Sequence, residues 1–176
     1  MNHPEKPDQL EIAHQVIKEI GRDNILCTEN DVWVWKDSGL WKKIGDRELK
    51  NIMQQALSRL GHKIYSNQIK GVLDILKTDT YVSDHQWNIE TNGINVLNGE
   101  IFWDGKWILK PHDKKNFNTT QIPLIYDPKA KSSRFSKFIK EVFIGDSDAD
   151  DKTKVLLELI GYTLTKQTDL ETFVIL

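Results

Sequence analysis

The sequence predicts an α+β fold on three observations. Apolar residues recur at three- and four-residue spacing in several stretches, two β-prone runs rich in tryptophan flank a glycine-containing loop, and two tight-turn dipeptides follow one another mid-chain. With 176 residues, 39% hydrophobic and 28% charged, the chain can bury one core or two small ones, and it matches no collagenous, disordered or membrane-spanning composition.

The first helix is expected from about Gln9 to Ile20: Asp8 can cap it, Ala13, Val16, Ile17 and Ile20 share a face, and Gly21 stops it. Val32-Trp33-Val34-Trp35 and Leu40-Trp41-Lys42-Lys43-Ile44 read as a hairpin around Lys36-Asp37-Ser38-Gly39, with Trp33 and Trp35 on one face. Its tryptophans are expected to be core rather than a stacking platform. Asp46 is expected to cap a helix whose Leu49, Ile52, Met53, Ala56, Leu57 and Leu60 turn inward and which Gly61 ends. Ser66 would cap the next, with Ile69, Val72, Leu73 and Leu76 inward. Residues 1–86 thus read as a helix-hairpin-helix-helix subdomain, with a boundary among the polar residues Asp84 to Asn92.

Residues 87–176 read as a meander with helices. Asn98-Gly99 and Asp104-Gly105 separate Ile94–Leu97, Glu100–Trp103 and Lys106–Leu109, which implies three antiparallel strands. Pro111 to Pro128 is a long polar connection carrying the β-like insert Thr120–Ile125, where Pro123 argues for an edge strand. Ser132 or Ser133 can cap a helix with an apolar stripe of Phe135, Phe138, Ile139, Val142 and Phe143, for which core packing is expected. An acidic loop, Asp146 to Asp151, leads to a last helix with Val155, Leu156, Leu159 and Ile160 inward, and Phe173–Leu176 reads as a buried strand at which the chain looks cut.

The charge balance is -2 overall, from 24 Lys and Arg against 26 Asp and Glu, so any attraction to nucleic acid must be local. From Lys106 to Lys140 there are nine basic residues and two acids, and from Glu141 to Asp151 five acids and no base. Lys114, Lys115, Lys129, Lys131, Arg134 and Lys137 are the candidate phosphate contacts, with Phe117 and Tyr126 as base-stacking surfaces. The competing reading is that these lysines solvate a helix face and both aromatics pack inward.

Catalytic and metal chemistry find little support. Five scattered histidines and one cysteine make no zinc pattern. Asp146, Asp148 and Asp150 mimic the start of a calcium loop, but Asp151 stands where the sharp turn needs glycine, so a solvated helix-capping loop is expected. No GxSxG, GxxxxGK[ST] or GxGxxG occurs, and a Cys27–His14 dyad would rest on sequence distance alone, so a small hydrolase would need a site not visible here. Lone Cys27 in an apolar run favours a reducing cytoplasm, and no window reaches the about 18 to 20 apolar residues of a membrane span.

The order of segments resembles a known family. Asn92-Gly93-Ile94-Asn95-Val96-Leu97-Asn98-Gly99-Glu100, then Leu109-Lys110-Pro111-His112, Thr120-Gln121-Ile122-Pro123 and Tyr126-Asp127-Pro128-Lys129-Ala130 resemble the domain preceding the helicase in phage and plasmid primase-helicases of the poxvirus type. Phe135–Ile139, Leu156–Thr165 and Glu171–Leu176 are similar to that family's following helices and to the strand that enters its Walker A loop. The resemblance implies an accessory domain in DNA replication that helps form a hexameric collar and guides DNA. The implied partners are DNA, the protein's own superfamily 3 helicase domain and further copies of itself. ATP and Mg2+ would belong only to the helicase beyond Leu176, and no catalytic residue carries over. A stand-alone DNA-binding or replication-regulating module is the alternative.

Overall fold

Asp8 stands at the N-cap of α1 (Gln9–Ile20), where its carboxylate accepts the Leu10 N–H, and Gly21 at φ 90° closes the helix by donating to the Ile17 carbonyl. This is a computed structural model, and it describes residues 8–59, 66–90 and 92–165. The chain divides into two compact units, Met1–Trp87 and Asn88–Leu176.

In unit 1, α1 is followed by β1 (Ile25–Thr28), β2 (Asp31–Lys36) and β3 (Leu40–Ile44), an antiparallel sheet in that order, then α2 (Asp46–Arg59) and α3 (Ser66–Asp79). The tryptophan hairpin forms as expected: Trp35 pairs with Trp41, and Gly39 at φ 86° completes the loop. β1 carries no turn glycine; it joins β2 through Glu29 and Asn30, both at positive φ, a backbone that Asn tolerates better than most residues. After α3 the chain runs beside β1, where the Cys27 N–H donates to the Thr80 carbonyl and Val82 returns a bond to the Cys27 carbonyl.

One face of this sheet makes the core with all three helices. Ile25, Cys27, Val32, Val34 and Ile44 meet Ala13 and Val16, Leu49 and Met53, and Val72 and Leu76. Leu49 opens α2 by donating to the Gly45 carbonyl, so Gly45 holds the cap position and Asp46 sits in the first turn, favourable to the dipole without capping. The expected stop at Leu60 and Gly61, the Ser66 side chain and the strand Phe173–Leu176 all lie outside the described residues.

The tryptophans pack as a second cluster, on the other face of the sheet. Val34 and Val32 take the helix-facing side, so strand alternation sends Trp33, Trp35 and Trp41 to the opposite face. Trp41 is buried there, Trp33 and Trp35 are half-buried, and Trp87 covers them, with its ring 4.3 Å from Trp33 and 6.2 Å from Trp41. His85 lies edge-on to Trp87 at 4.4 Å, and burial lowers its pKa below the ordinary 6.5.

That shift predicts acid lability. The unfolded chain takes up a proton near the ordinary value while folded His85 resists it, so stability is full above about pH 6.5 and is lost as pH falls through the lower folded value. Urea midpoints followed by tryptophan fluorescence are expected to drop between about pH 7 and 5, and His85→Phe to flatten that part of the dependence. An unchanged slope in the variant would assign the acid loss to other groups.

Unit 2 holds β4 (Gly93–Val96), β5 (Gly99–Trp103) and β6 (Trp107–Lys110), the expected meander, followed by α4 (Ser133–Val142) and α5 (Ala149–Thr163). The first turn differs by one place. Val96 pairs with Gly99, so Leu97 and Asn98 form the turn. Glycine is required at 99 because a Cβ there would meet the Lys110 carbonyl oxygen at 2.3 Å. The insert Thr120–Ile125 makes one parallel bridge, Val96 with Ile122, rather than a strand. Ile122 donates to the Asn95 carbonyl, Leu97 donates to Leu124, and Pro123 between them has no N–H with which to continue a ladder.

The two last helices depart most from expectation. α4 buries Ile139, but Phe135, Phe138 and Val142 are exposed, as are Val155 and Ile160 of α5, with Leu156 and Leu159 half-buried. Periodicity is correct for both helices, but it describes only one of the two surfaces that burial needs. Ser132 occupies the N-cap of α4 without a side-chain capping bond. Among the described residues no helix is long and apolar enough to cross a membrane.

Candidate nucleic-acid interface

The six candidate cations occupy three elements of unit 2. Lys114 and Lys115 lie in a 3-10 turn, Lys114–Asn116, opened by Asp113, whose carboxylate accepts the Lys115 N–H at 2.9 Å. Below it Glu100, buried, accepts the Asp113 N–H at 2.8 Å and the Asn116 side-chain amide at 2.7 Å, which fixes the turn to β5. Lys129 and Lys131 follow the turn at Asp127, where the carboxylate accepts the Lys129 N–H. Arg134 and Lys137 stand one turn apart on α4, and Lys137 reaches Glu141 at 3.6 Å. Five of these six residues are exposed and Lys114 is half-buried.

The long polar connection is pinned rather than loose. The His112 ring and the Gln121 amide both reach the Val96 carbonyl, and the Asn95 amide donates to the Thr120 carbonyl. Phe117 ends the 3-10 turn at φ 48° and is half-buried. Tyr126 is half-buried too, its backbone clamped by Asn98, whose side chain both accepts its N–H and donates to its carbonyl. Both rings thus fall between the open stacking surface and the inward packing that the sequence allows.

Two indoles stand open to water. Trp103 and Trp107 face each other across β5 and β6, with ring centroids 5.1 Å apart, and they are 61% and 51% exposed. The pattern Trp103-Asp104-Gly105-Lys106-Trp107 held the signal: a turn of three residues puts its flanking positions opposite one another and so on one face.

The remaining chemistry is sparse. In unit 1 a surface cleft of about 540 Å³ is lined by His14, Ile17, Lys18, Arg22 and Asp79. There the His14 ring lies 3.0 Å from the Asp79 carboxylate and Arg22 donates to the Asp79 carbonyl, a tie between α1 and α3 with no hydroxyl or thiol in the lining to act as nucleophile. Cys27 is buried in β1, facing the core, and burial raises its thiol pKa above the ordinary 9.0, the opposite of an activated thiolate. Among the described residues no group of three or more His, Cys, Asp or Glu could hold a metal ion. In the acidic loop Asp148 takes the N-cap place of α5, but its carboxylate bonds Lys152 at 2.9 Å instead of capping, and Asp146 joins at 2.7 Å. The Lys152 hydrogen bond holds Asp148 below the usual carboxylate range, and the bonds from Asp146 and Asp148 raise Lys152.

Comparison with known families places this arrangement. A family model described as D5 N terminal like matches residues 13–144, about three quarters of the chain, from within α1 of unit 1 to just past α4 of unit 2. The chain belongs to the D5 N-terminal-like family. This family forms the N-terminal domain of phage and plasmid D5-type primase-helicases, as the ordered resemblance from Asn92 to Leu176 implies. No curated protein matches the chain. Within the D5 N-terminal-like domain the match takes in the tryptophan sheet, the meander and all six candidate cations.

Proposed function

We propose that this D5 N-terminal-like domain is the accessory collar of its primase-helicase, guiding DNA without regard to sequence and helping copies assemble into a hexameric ring in the cytoplasm. The observation that carries the DNA part is the outward placement of Lys115, Lys129, Lys131, Arg134 and Lys137 on three elements of one unit within an otherwise acidic chain. Its own superfamily 3 helicase domain is the second partner on this reading, and ATP with Mg2+ enters through that domain. Ring assembly draws on the sign reversal after Lys140, since a basic tract and an acidic segment on one subunit suit a head-to-tail contact that closes. Lys137 and Asp148 are each held by a partner on their own helix, pairs exposed enough to exchange at low cost.

Fluorescence anisotropy of a labelled single-stranded oligonucleotide, titrated across salt, tests the DNA reading. Log K should fall with log salt by about 0.7 per phosphate engaged. Replacing Lys115, Lys129, Lys131 and Arg134 together by glutamine is expected to lower that slope by about 3. No binding at low salt, or a slope that the fourfold variant leaves intact, would remove this reading.

A further inference from the structure

Leaving two indoles open to water forgoes the largest apolar burial any side chain offers, and Trp103 and Trp107 do so together at the tip of one hairpin. Behind them the same face turns inward, with Val96 and Ile101 buried. Ile94, Val96, Ile101 and Leu109 lie on the same face of the meander, and an apolar groove of about 230 Å³ runs there between Trp107 and Tyr126, with Ile122 and Leu124 along its side. That volume falls below the roughly 300–1,000 Å³ of pockets that enclose a drug-sized ligand and suits a single planar ring. Exposed cations follow both aromatic walls in the chain: Lys106 lies in the loop joining the two tryptophans, and Lys129 lies three residues past Tyr126. In the two flanking loops Lys106, Lys129 and Lys131 stand with Asp104 and Asp127, whereas Lys110 belongs to the opposite face, its ammonium 4.7 Å from the Phe102 ring.

We propose that Trp103, Trp107 and the groove beside them take the bases of single-stranded nucleic acid by stacking, while Lys106 and Lys129 meet the flanking phosphates. The inference rests on the nucleic-acid reading above and adds to it a site and a substrate class. Alternation of aromatic faces with cations is what a single strand presents in mirror image, flat apolar bases joined by charged phosphates. A duplex stacks its bases on each other and offers these rings nothing, and an apolar protein segment would gain nothing from the bordering lysines.

The test uses the whole chain and three fluorescent probes: a 20-residue oligothymidylate, an abasic oligonucleotide of the same length and charge, and a blunt duplex. The wild type is expected to bind oligothymidylate more tightly than either of the others. W107A and W103A are each expected to weaken oligothymidylate binding by about 5- to 150-fold with an unchanged salt slope, and to leave the abasic probe untouched. W107F, which keeps a ring, should recover most of the loss, and far-ultraviolet circular dichroism identical to wild type separates this from unfolding. Equal binding of oligothymidylate and the abasic probe, indifferent to W107A, overturns the proposal while the basic tract survives. Failure of every probe to bind at low salt overturns both. Self-association that W107A abolishes, with oligothymidylate binding intact, would instead assign this face to contact between copies and overturn the stacking site.

Discussion

Leu76→Ala is expected to destabilise unit 1 by about 2–5 kcal/mol. Leu76 is 0% exposed, the last core residue of α3, and belongs with Val72 and Leu73 to the cluster that joins α1 and α2 to the sheet. Truncation removes its transfer energy and leaves a cavity that three helices and a sheet, each fixed by the others, cannot close. The site has a second burden: the Leu76 carbonyl accepts both the N–H and the hydroxyl of buried Thr80, the residue that carries the chain onto the edge of β1. Displacement of the last turn of α3 therefore loosens the sheet edge as well as the core. A domain of this size holds about 5–15 kcal/mol in total, so the loss should move the urea midpoint far enough to see without extrapolation. Tryptophan fluorescence reports it well, because Trp33, Trp35, Trp41 and Trp87 lie in this unit. Leu10→Ala, the same substitution on the exposed face of α1, is the control and should stay within about 0.5 kcal/mol. Equal effects of the two variants would refute this core.

Elements marked by local chemistry are legible in the amino-acid sequence. Asp8 and Gly21 bracket α1 because each acts on backbone groups within one turn of itself, and the meander follows from turn residues next to the strands they connect. β1 is not legible, because its turn residues Glu29 and Asn30 carry no glycine and its partner segment at Thr80 lies some fifty residues away. Apolar spacing marks the faces of α4 and α5 but not what meets them, since periodicity describes one surface and burial requires two. The same limit divides the candidate site. Exposure of Lys115 or Lys137 is the ordinary fate of lysine, whereas for Trp103 and Trp107 the turn spacing marks a shared face but not that this face stands open to water. Glu100 hides in the opposite way: a charge in an alternating strand reads as solvent-facing, yet it is among the most buried side chains of the chain.

Glu100→Ala is accordingly expected to cost unit 2 about 2–4 kcal/mol, and to weaken nucleic-acid binding without touching a phosphate-facing residue. Its two carboxylate oxygens serve different donors, the Asp113 N–H and the Asn116 amide, at the start and end of the turn that presents Lys114 and Lys115. Alanine removes both acceptors, and because Asp113 is exposed and Asn116 half-buried, water offsets part of the loss, leaving about 1–2 kcal/mol for each bond. Glu100→Gln separates the two jobs, since it keeps the shape and one acceptor but turns an amide N–H toward the other donor, so about half the loss is expected. Thermal unfolding should rank wild type above glutamine above alanine, with faster hydrogen exchange at the Asp113 amide in both variants. Because the turn then no longer holds Lys114 and Lys115 in place, the salt slope of oligonucleotide binding should fall by at most about 1.4, the share of two cations. A slope that stays put while stability drops would mean that Lys114 and Lys115 contribute nothing to binding, and would confine the interface to Lys129, Lys131 and α4.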